Sequence, residues 1–208
     1  MGPNLYFLRH GETSHSHDDA FCGMSDPSLT AKGIAMAQAF SGMYQSLAWE
    51  AVYASPLQRT RETAAPFCEA LGLEPIYREG LMEMDFGSWE NLDRTTVQQR
   101  YTQDYFNWMT EPAWNPPTQG ETAVQVASRA ALVIAEITES IGQGNVLIVS
   151  HKSTIRILLC HLLGMDLGRY RDRMDMPVSA MSLVRIDEHG PMLKKLGDRS
   201  HLPQELRI

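Results

Sequence analysis

Apolar positions fall into short continuous runs and longer helical stripes that alternate along most of the chain. Residues 4–8 form an apolar run that stops at Arg9-His10-Gly11, the pattern of a buried strand feeding a loop. Thr30 is placed to cap a helix in which Met36, Phe40, Met43 and Leu47 make one apolar stripe. Residues 51–54 read as a second strand ending at Ser55-Pro56. A helix follows, with Leu57, Arg61, Ala64, Cys68 and Leu71 on one face and Gly72 as its stop. Residues 121–141 carry a long helical pattern with Val124, Ala127, Ala131, Ile134 and Ile141 on the core side. The run NVLIV at 145–149 is the clearest buried strand; it leads through Ser150-His151 into a helix that reaches Leu163 and stops at Gly164. Residues 179–186 predict a late strand, with 192–196 as its partner.

Such alternation implies an α/β fold with a largely parallel central sheet. The stretch 78–120 interrupts it. Three tryptophans (Trp89, Trp108 and Trp114) and the Pro-rich run from Glu111-Pro112 to Pro116-Pro117 lie there. Some of it, around 95–108, has helical character, but its turn signals predict an excursion over the surface that carries specificity. No internal repeat, linker or low-complexity tract divides the chain, so 1–208 is expected to be one domain with an insertion around 78–120.

Three predicted strands end at chemically interesting residues: Arg9-His10, Ser55 to Arg59, and His151. Ligand sites of open parallel sheets form beyond the carboxyl ends of the strands, so these groups are expected to meet. Arginine forks bind phosphate oxygens by paired, charge-assisted hydrogen bonds. A neutral imidazole can attack phosphorus and hold the group covalently. A second histidine, protonated by the phosphate's own charge, would stabilise the equatorial oxygens. The helix N-termini after Pro56 and after His151 are expected to add N–H donors. Arg9, His10, Arg59 and His151 thus suit a phosphoryl group, with Arg61 as ready a choice as Arg59. The leaving alkoxide needs a proton, for which Glu83, Asp85 and Glu12 are all candidates. No metal or other cofactor is required by this scheme.

Composition narrows the field further. Eighteen Lys and Arg against 25 Asp and Glu give a net charge of −7, which argues against a nucleic-acid partner and leaves local arginine clusters free to bind an anion. Cys22, Cys68 and Cys160 form no disulfide framework, which favours a reducing compartment. The opening residues lack a secretory-signal pattern and no apolar run spans a bilayer, so a cytoplasmic location without membrane contact is expected. His15-Ser16-His17-Asp18-Asp19 superficially suggests metal ligands, but alternating histidines and acids on a loop are more often solvated.

Leu8-Arg9-His10-Gly11-Glu12-Thr13 resembles the opening motif of the histidine phosphatase superfamily, which includes the cofactor-dependent phosphoglycerate mutases. Three further segments resemble it in order. They are Phe21-Cys22-Gly23-Met24-Ser25-Asp26 with Leu29-Thr30-Ala31-Lys32-Gly33, Ala54-Ser55-Pro56-Leu57-Gln58-Arg59-Thr60, and Val149-Ser150-His151 followed by Ile155-Arg156. The resemblance implies a three-layer α/β/α fold of the phosphoglycerate mutase kind. It makes His10 the nucleophile, with Arg9, Arg59 and His151 forming the phosphate pocket, Glu83 the proton donor, and Gly11, Ser16, Cys22, Gly23 and Lys152 further substrate contacts. Gly120-Glu121-Thr122 is similar to a family segment that opens the long helix near the site. The resemblance also implies a homodimer.

Three positions depart from the pattern: His15 replaces a frequent aromatic residue, Ser16 a frequent Asn, and Lys152 a frequent Gly. The position of Lys152 beside His151 predicts a preference for substrates with an extra anionic group. Mutases of the family hold a carboxylate with paired arginines, whereas residues 91–120 contain Arg94 and Arg100 but no adjacent pair. The implied activity is therefore metal-independent hydrolysis of a small phosphorylated metabolite through a phosphohistidine. The alternatives are a phosphoglycerate mutase-like phosphotransferase and a non-catalytic phospho-ligand-binding member.

Overall fold

The structure, a computed structural model, describes residues 2–17 and 20–207. Among these the elements run β1 (Asn4–Arg9), α1 (Ser14–His17), α2 (Ala31–Tyr44), β2 (Trp49–Ala54), α3 (Gln58–Leu71) and β3 (Ile76–Tyr77). They continue with α4 (Arg94–Arg100), α5 (Thr102–Thr110), α6 (Ala123–Ser140), β4 (Asn145–Ser150), α7 (Lys152–Leu162), β5 (Met181–Asp187) and β6 (Gly190–Asp198). The strands form one sheet in the order β3-β2-β4-β1-β5-β6. β1 to β4 are mutually parallel, while β5 and β6 run antiparallel at one edge.

Alternation along the central strands produces the layers. Leu5 and Phe7 of β1, and Val146 and Ile148 of β4, point into the core that α6 and α7 cover. Tyr6, Leu8, Leu147 and Val149 point the other way, against Phe40 and Tyr44 of α2 and Phe67 of α3. Because both faces are covered, β1 and β4 read as continuous apolar runs rather than alternating ones. The α/β/α architecture expected from the sequence is the one observed. Among the described residues no helix is long and apolar enough to cross a membrane.

The helical stripes sit slightly off their predicted positions. In α2, Thr30 caps the helix by accepting from the Gly33 N–H, and Met36, Ala37, Phe40 and Tyr44 are buried, but Met43 is 48% exposed. At about 100° per residue, Met43 falls about 20° past Met36 and off the edge of the buried arc. Leu47 lies beyond the helix end, half exposed. In α3 the buried face is Arg59, Thr60, Thr63, Ala64, Phe67 and Cys68, so Arg61 faces solvent and Arg59 the interior. In α6 the core side is Ala123, Val126, Ala127, Ala130, Val133, Ile134 and Ile137 rather than Val124, Ala131 and Ile141. Facing layers choose among overlapping apolar stripes, and the sequence alone does not show the layers.

The 78–120 stretch corrects an expectation more substantially. It is no surface excursion: Trp89, Val97, Tyr105 and Trp108 are buried in the same core as the sheet residues. Trp89 and Trp108 contact edge to face at 5.5 Å between ring centroids, and Phe21 meets both. Trp114 and Phe106 remain exposed.

Candidate active site

β1, β2 and β4 end together, and the residues that follow them line a cavity of about 450 Å³, a size ordinary for a small-molecule site. Arg9, His10 and Arg59 are buried residues of its lining, while His151 is not part of the lining and is fully buried against Arg59 and the His10 ring. The β1 segment is held on both sides: the His10 N–H donates to the Ser150 carbonyl, and the His10 carbonyl accepts from Ser179. Ser179 has the left-handed φ of 56° and its hydroxyl meets the buried ring of His201 at 3.2 Å.

Hydrogen bonding defines the tautomers. His10 Nδ1 lies 2.8 Å from the Gly11 carbonyl oxygen, which can only accept. Nδ1 therefore carries the proton and Nε2 keeps its lone pair. His151 is the reverse case. Its Nδ1 accepts from Arg59 Nε at 3.1 Å, so its proton sits on Nε2, 2.8 Å from Ser55 Oγ. The two rings are 5.2 Å apart. Burial, and then the positive field of Arg59, push both histidines well below the ordinary value.

Arg59 also donates from Nη1 to the Ser25 carbonyl at 2.6 Å and from Nη2 to the Gly23 carbonyl at 2.8 Å, which leaves one N–H on each of these nitrogens. Gly23 has a φ of 47°, and a Cβ there would collide with the Glu90 carboxylate. That carboxylate accepts from the Met24 and Ser25 N–H groups. Arg9 donates to the Met176 carbonyl at 2.7 Å, while its buried Nε has no partner. Burial lowers the Arg9 pKa to about 10.

Glu83 is buried at the cavity's edge and caps α7, accepting from the Ser153 and Thr154 N–H groups at 3.2 Å and from Met84. The turn that carries it is clamped by Arg129, which donates to the Gly80, Met82 and Glu83 carbonyls and to Glu121. Glu121 in turn accepts from the Asp85 N–H. This corrects the expected anion sites at helix N-termini: Glu83 occupies that of α7, and Asp26 that of α3 through the Gln58 N–H at 2.7 Å.

The remaining predicted contacts divide. Ser16, Cys22, Gly23 and Lys152 line the cavity. Gly11 does not. Its N–H donates to Thr63 Oγ1, its carbonyl meets His10, and a Cβ would lie 2.5 Å from the Gly33 carbonyl oxygen. Gly11 is a spacer between β1 and α2. Ser16 donates its hydroxyl to the Thr13 carbonyl, and the Cys22 thiol donates to the Ser25 carbonyl. His15 Nε2 meets Asn91 Oδ1 at 3.0 Å. Asp18, Asp19 and the His17 side chain lie outside the described residues. Among those described, no three His, Cys, Asp or Glu side chains gather as metal ligands would.

Sequence reasoning gave the stretch that holds Phe86 and Trp108 a part in specificity but missed the rest of the outer wall. Phe21, Phe86, Trp108 and Tyr170 supply its aromatic surface, and Arg156 and Arg171 add charge. Arg156 was read only as part of a motif, with no role. The available signal was Arg169, Arg171 and Arg173 within five residues of an acidic chain.

A buried imidazole with an open Nε2 among arginines, beyond the ends of parallel strands, is a site built for phosphoryl chemistry. Comparison with known proteins agrees. Residues 5–199 match the model of the histidine phosphatase superfamily, branch 1, and the chain belongs to that superfamily. Phosphoserine phosphatase 1 of Hydrogenobacter thermophilus is 28% identical over 95% of this chain and 93% of its own. Adenosylcobalamin/alpha-ribazole phosphatase of Escherichia coli is 29% identical over 88% of this chain and 85% of its own. Among solved structures, Bacillus stearothermophilus YhfR superposes with a TM-score of 0.89 at 25% identity, covering 96% of this chain and 98% of its own. The alpha-ribazole phosphatase of Shigella flexneri gives 0.85 at 28%, covering 94% and 96%. The family and these relatives support a phosphatase role.

Proposed function

We propose that this protein hydrolyses a small phosphomonoester through a phosphohistidine formed on His10, without a metal. The observation that carries the reading is the unprotonated Nε2 of His10, fixed by the Nδ1–Gly11 hydrogen bond and facing a cavity lined with arginines. Nε2 attacks phosphorus, the P–N bond forms and the ester P–O bond breaks. Glu83 gives its proton to the leaving alkoxide and later accepts one from the water that cleaves the P–N bond, releasing phosphate. Arg9 and Arg59 hold the phosphoryl oxygens. His151 transfers its Nε2–H hydrogen bond from Ser55 to an equatorial oxygen as charge develops there. The segment 78–120 selects the substrate through Phe86 and Trp108, within what we take to be one domain over 1–208. A reducing, cytoplasmic setting fits the three free cysteines.

The test is phosphate release from a panel of phosphorylated metabolites with chelator present, beside the His10→Ala protein. Chelator-resistant release with an acid-labile phosphoenzyme, both lost in the variant, is the expected result. Wild-type activity in His10→Ala would end the mechanism. Isomerisation of phosphoglycerate without net release would replace hydrolysis by a mutase.

A further inference from the structure

The cavity holds more positive charge than one phosphoryl group requires. Arg9, Arg59, Arg94, Lys152, Arg156 and Arg171 line it, against Glu83 and Asp172, in a chain whose net charge is −7. The arginines form a series in which each feels the next: Arg59 and Arg156 act on Arg9, Arg171 acts on Arg156, and Arg94 acts on Arg171. Like charges gathered in a partly dry cleft repel one another, and an anion removes that repulsion.

Two members of the series are built but incompletely used. The Arg171 guanidinium carbon lies over the Trp108 ring, 3.7 Å from its centroid, and the group donates to the Trp108 and Met109 carbonyls. Arg156 is nearly buried, and its carboxylate neighbour, Asp175, is 3.9 Å away and almost wholly exposed. The Nε–H groups of both arginines are buried without a hydrogen-bond partner. Those Nε–H groups lie out of a ligand's reach, but both residues line the cavity, and among the described residues Arg156 has only its long contact to Asp175, so their guanidinium groups offer a second anion charge-assisted hydrogen bonds there.

We infer that Arg156 and Arg171 form a second anion subsite, so that the substrate is a phosphomonoester bearing a further anionic group, either a carboxylate or a second phosphate. This inference rests on the proposed phosphatase reading and narrows its substrate class. His10 takes the transferable phosphoryl group, and the aromatic surface of Trp108, over which Arg171 sits, limits what lies between the two anions.

The test compares substrates that differ only in the second anion: 3-phosphoglycerate against glycerol 3-phosphate, and a sugar bisphosphate against its monophosphate. Wild-type kcat/KM should favour the doubly anionic member of at least one pair by about ten-fold or more, the strength expected of a charge-assisted contact. The pair that responds identifies the anion. In Arg171→Gln and Arg156→Gln that preference should collapse, with the loss falling mainly on the doubly anionic ester. Arg171→Lys, which keeps the charge without the fork, should recover part of it.

Equal kcat/KM within both pairs, or equal loss on both members in the variants, would overturn the subsite while leaving the phosphatase intact. If no ester is hydrolysed, the phosphatase reading falls instead. Calorimetric binding of the 3-phosphoglycerate pair to His10→Ala protein then still judges the subsite, and equal affinity rejects it.

Discussion

The floor of the cavity and its outer wall are both cationic but hold their charges differently. On the floor, Arg59 is committed to the Ser25 and Gly23 carbonyls and to His151, and His151 to Ser55. On the wall, Arg156 and Arg171 keep buried Nε–H groups unmet. Arg9 stands between, with one donor on Met176 and its Nε unmet. Groups satisfied within the protein are rigid and ready for chemistry that does not change with the substrate. The wall arginines hold fewer bonds within the protein at their cavity side, and on the proposed reading a substrate's second anion adds to them. On the proposed mechanism, the floor sets the reaction and the wall sets its specificity.

The sharpest way to break the floor is Arg59→Ala. It removes a phosphate contact and the donor that fixes the His151 tautomer, so kcat/KM should fall by about 10³-fold. It also leaves the Gly23 carbonyl and His151 Nδ1 unmet and the Ser25 carbonyl with only the Cys22 thiol, and calorimetry should show about 3 kcal/mol of lost stability. Loss of activity without loss of stability would mean that the floor is not held by these bonds.

Glu83→Gln separates proton donation from phosphate binding. For alkyl phosphates kcat should drop by about 10²-fold, and for an aryl phosphate with an acidic leaving group much less. A uniform drop would reassign Glu83 to capping α7 alone.

The smallest effect is on stability against pH. His10 and His151 are held neutral by burial, and His201 is lowered to about 4 in the same way. The folded chain thus binds fewer protons than the unfolded chain once pH falls below the ordinary histidine value of about 6.5. Stability is full above that value and declines towards pH 4, which a series of melting curves will show. Arg171→Gln on the wall should leave the slope unchanged, and His201→Asn should flatten it.

The two histidines of the floor could be read from the sequence because each lies within two residues of the end of an apolar run, whereas only the family resemblance favours Arg59 over Arg61. The strand at 145–149 locates His151, and the run at 4–8 locates His10, once the sheet is taken as parallel. The wall could not be read in this way. Trp108 comes from a stretch whose prolines suggest surface, and Arg171 from a turn after α7; Trp108 packs against Phe21 and Phe86, and Arg171 packs over Trp108. The role of Glu83 as the α7 cap was also hidden, because its partners Ser153 and Thr154 are distant in sequence.

The sheet order has one more consequence. β1 lies between β4 and β5, with Leu8 opposite Val149 on one side and Met181 on the other. During synthesis β1 emerges long before either neighbour, and its apolar residues wait unpaired while the intervening chain is made. Closing such long loops is slow and leaves strand edges open to other molecules. His10 gains its hydrogen bonds to Ser150 and Ser179 only when nearly the whole chain is in place. If His10 is the proposed nucleophile, a chain that ends before Ser179 lacks one of the two backbone bonds that hold it and should be inert towards phosphate esters.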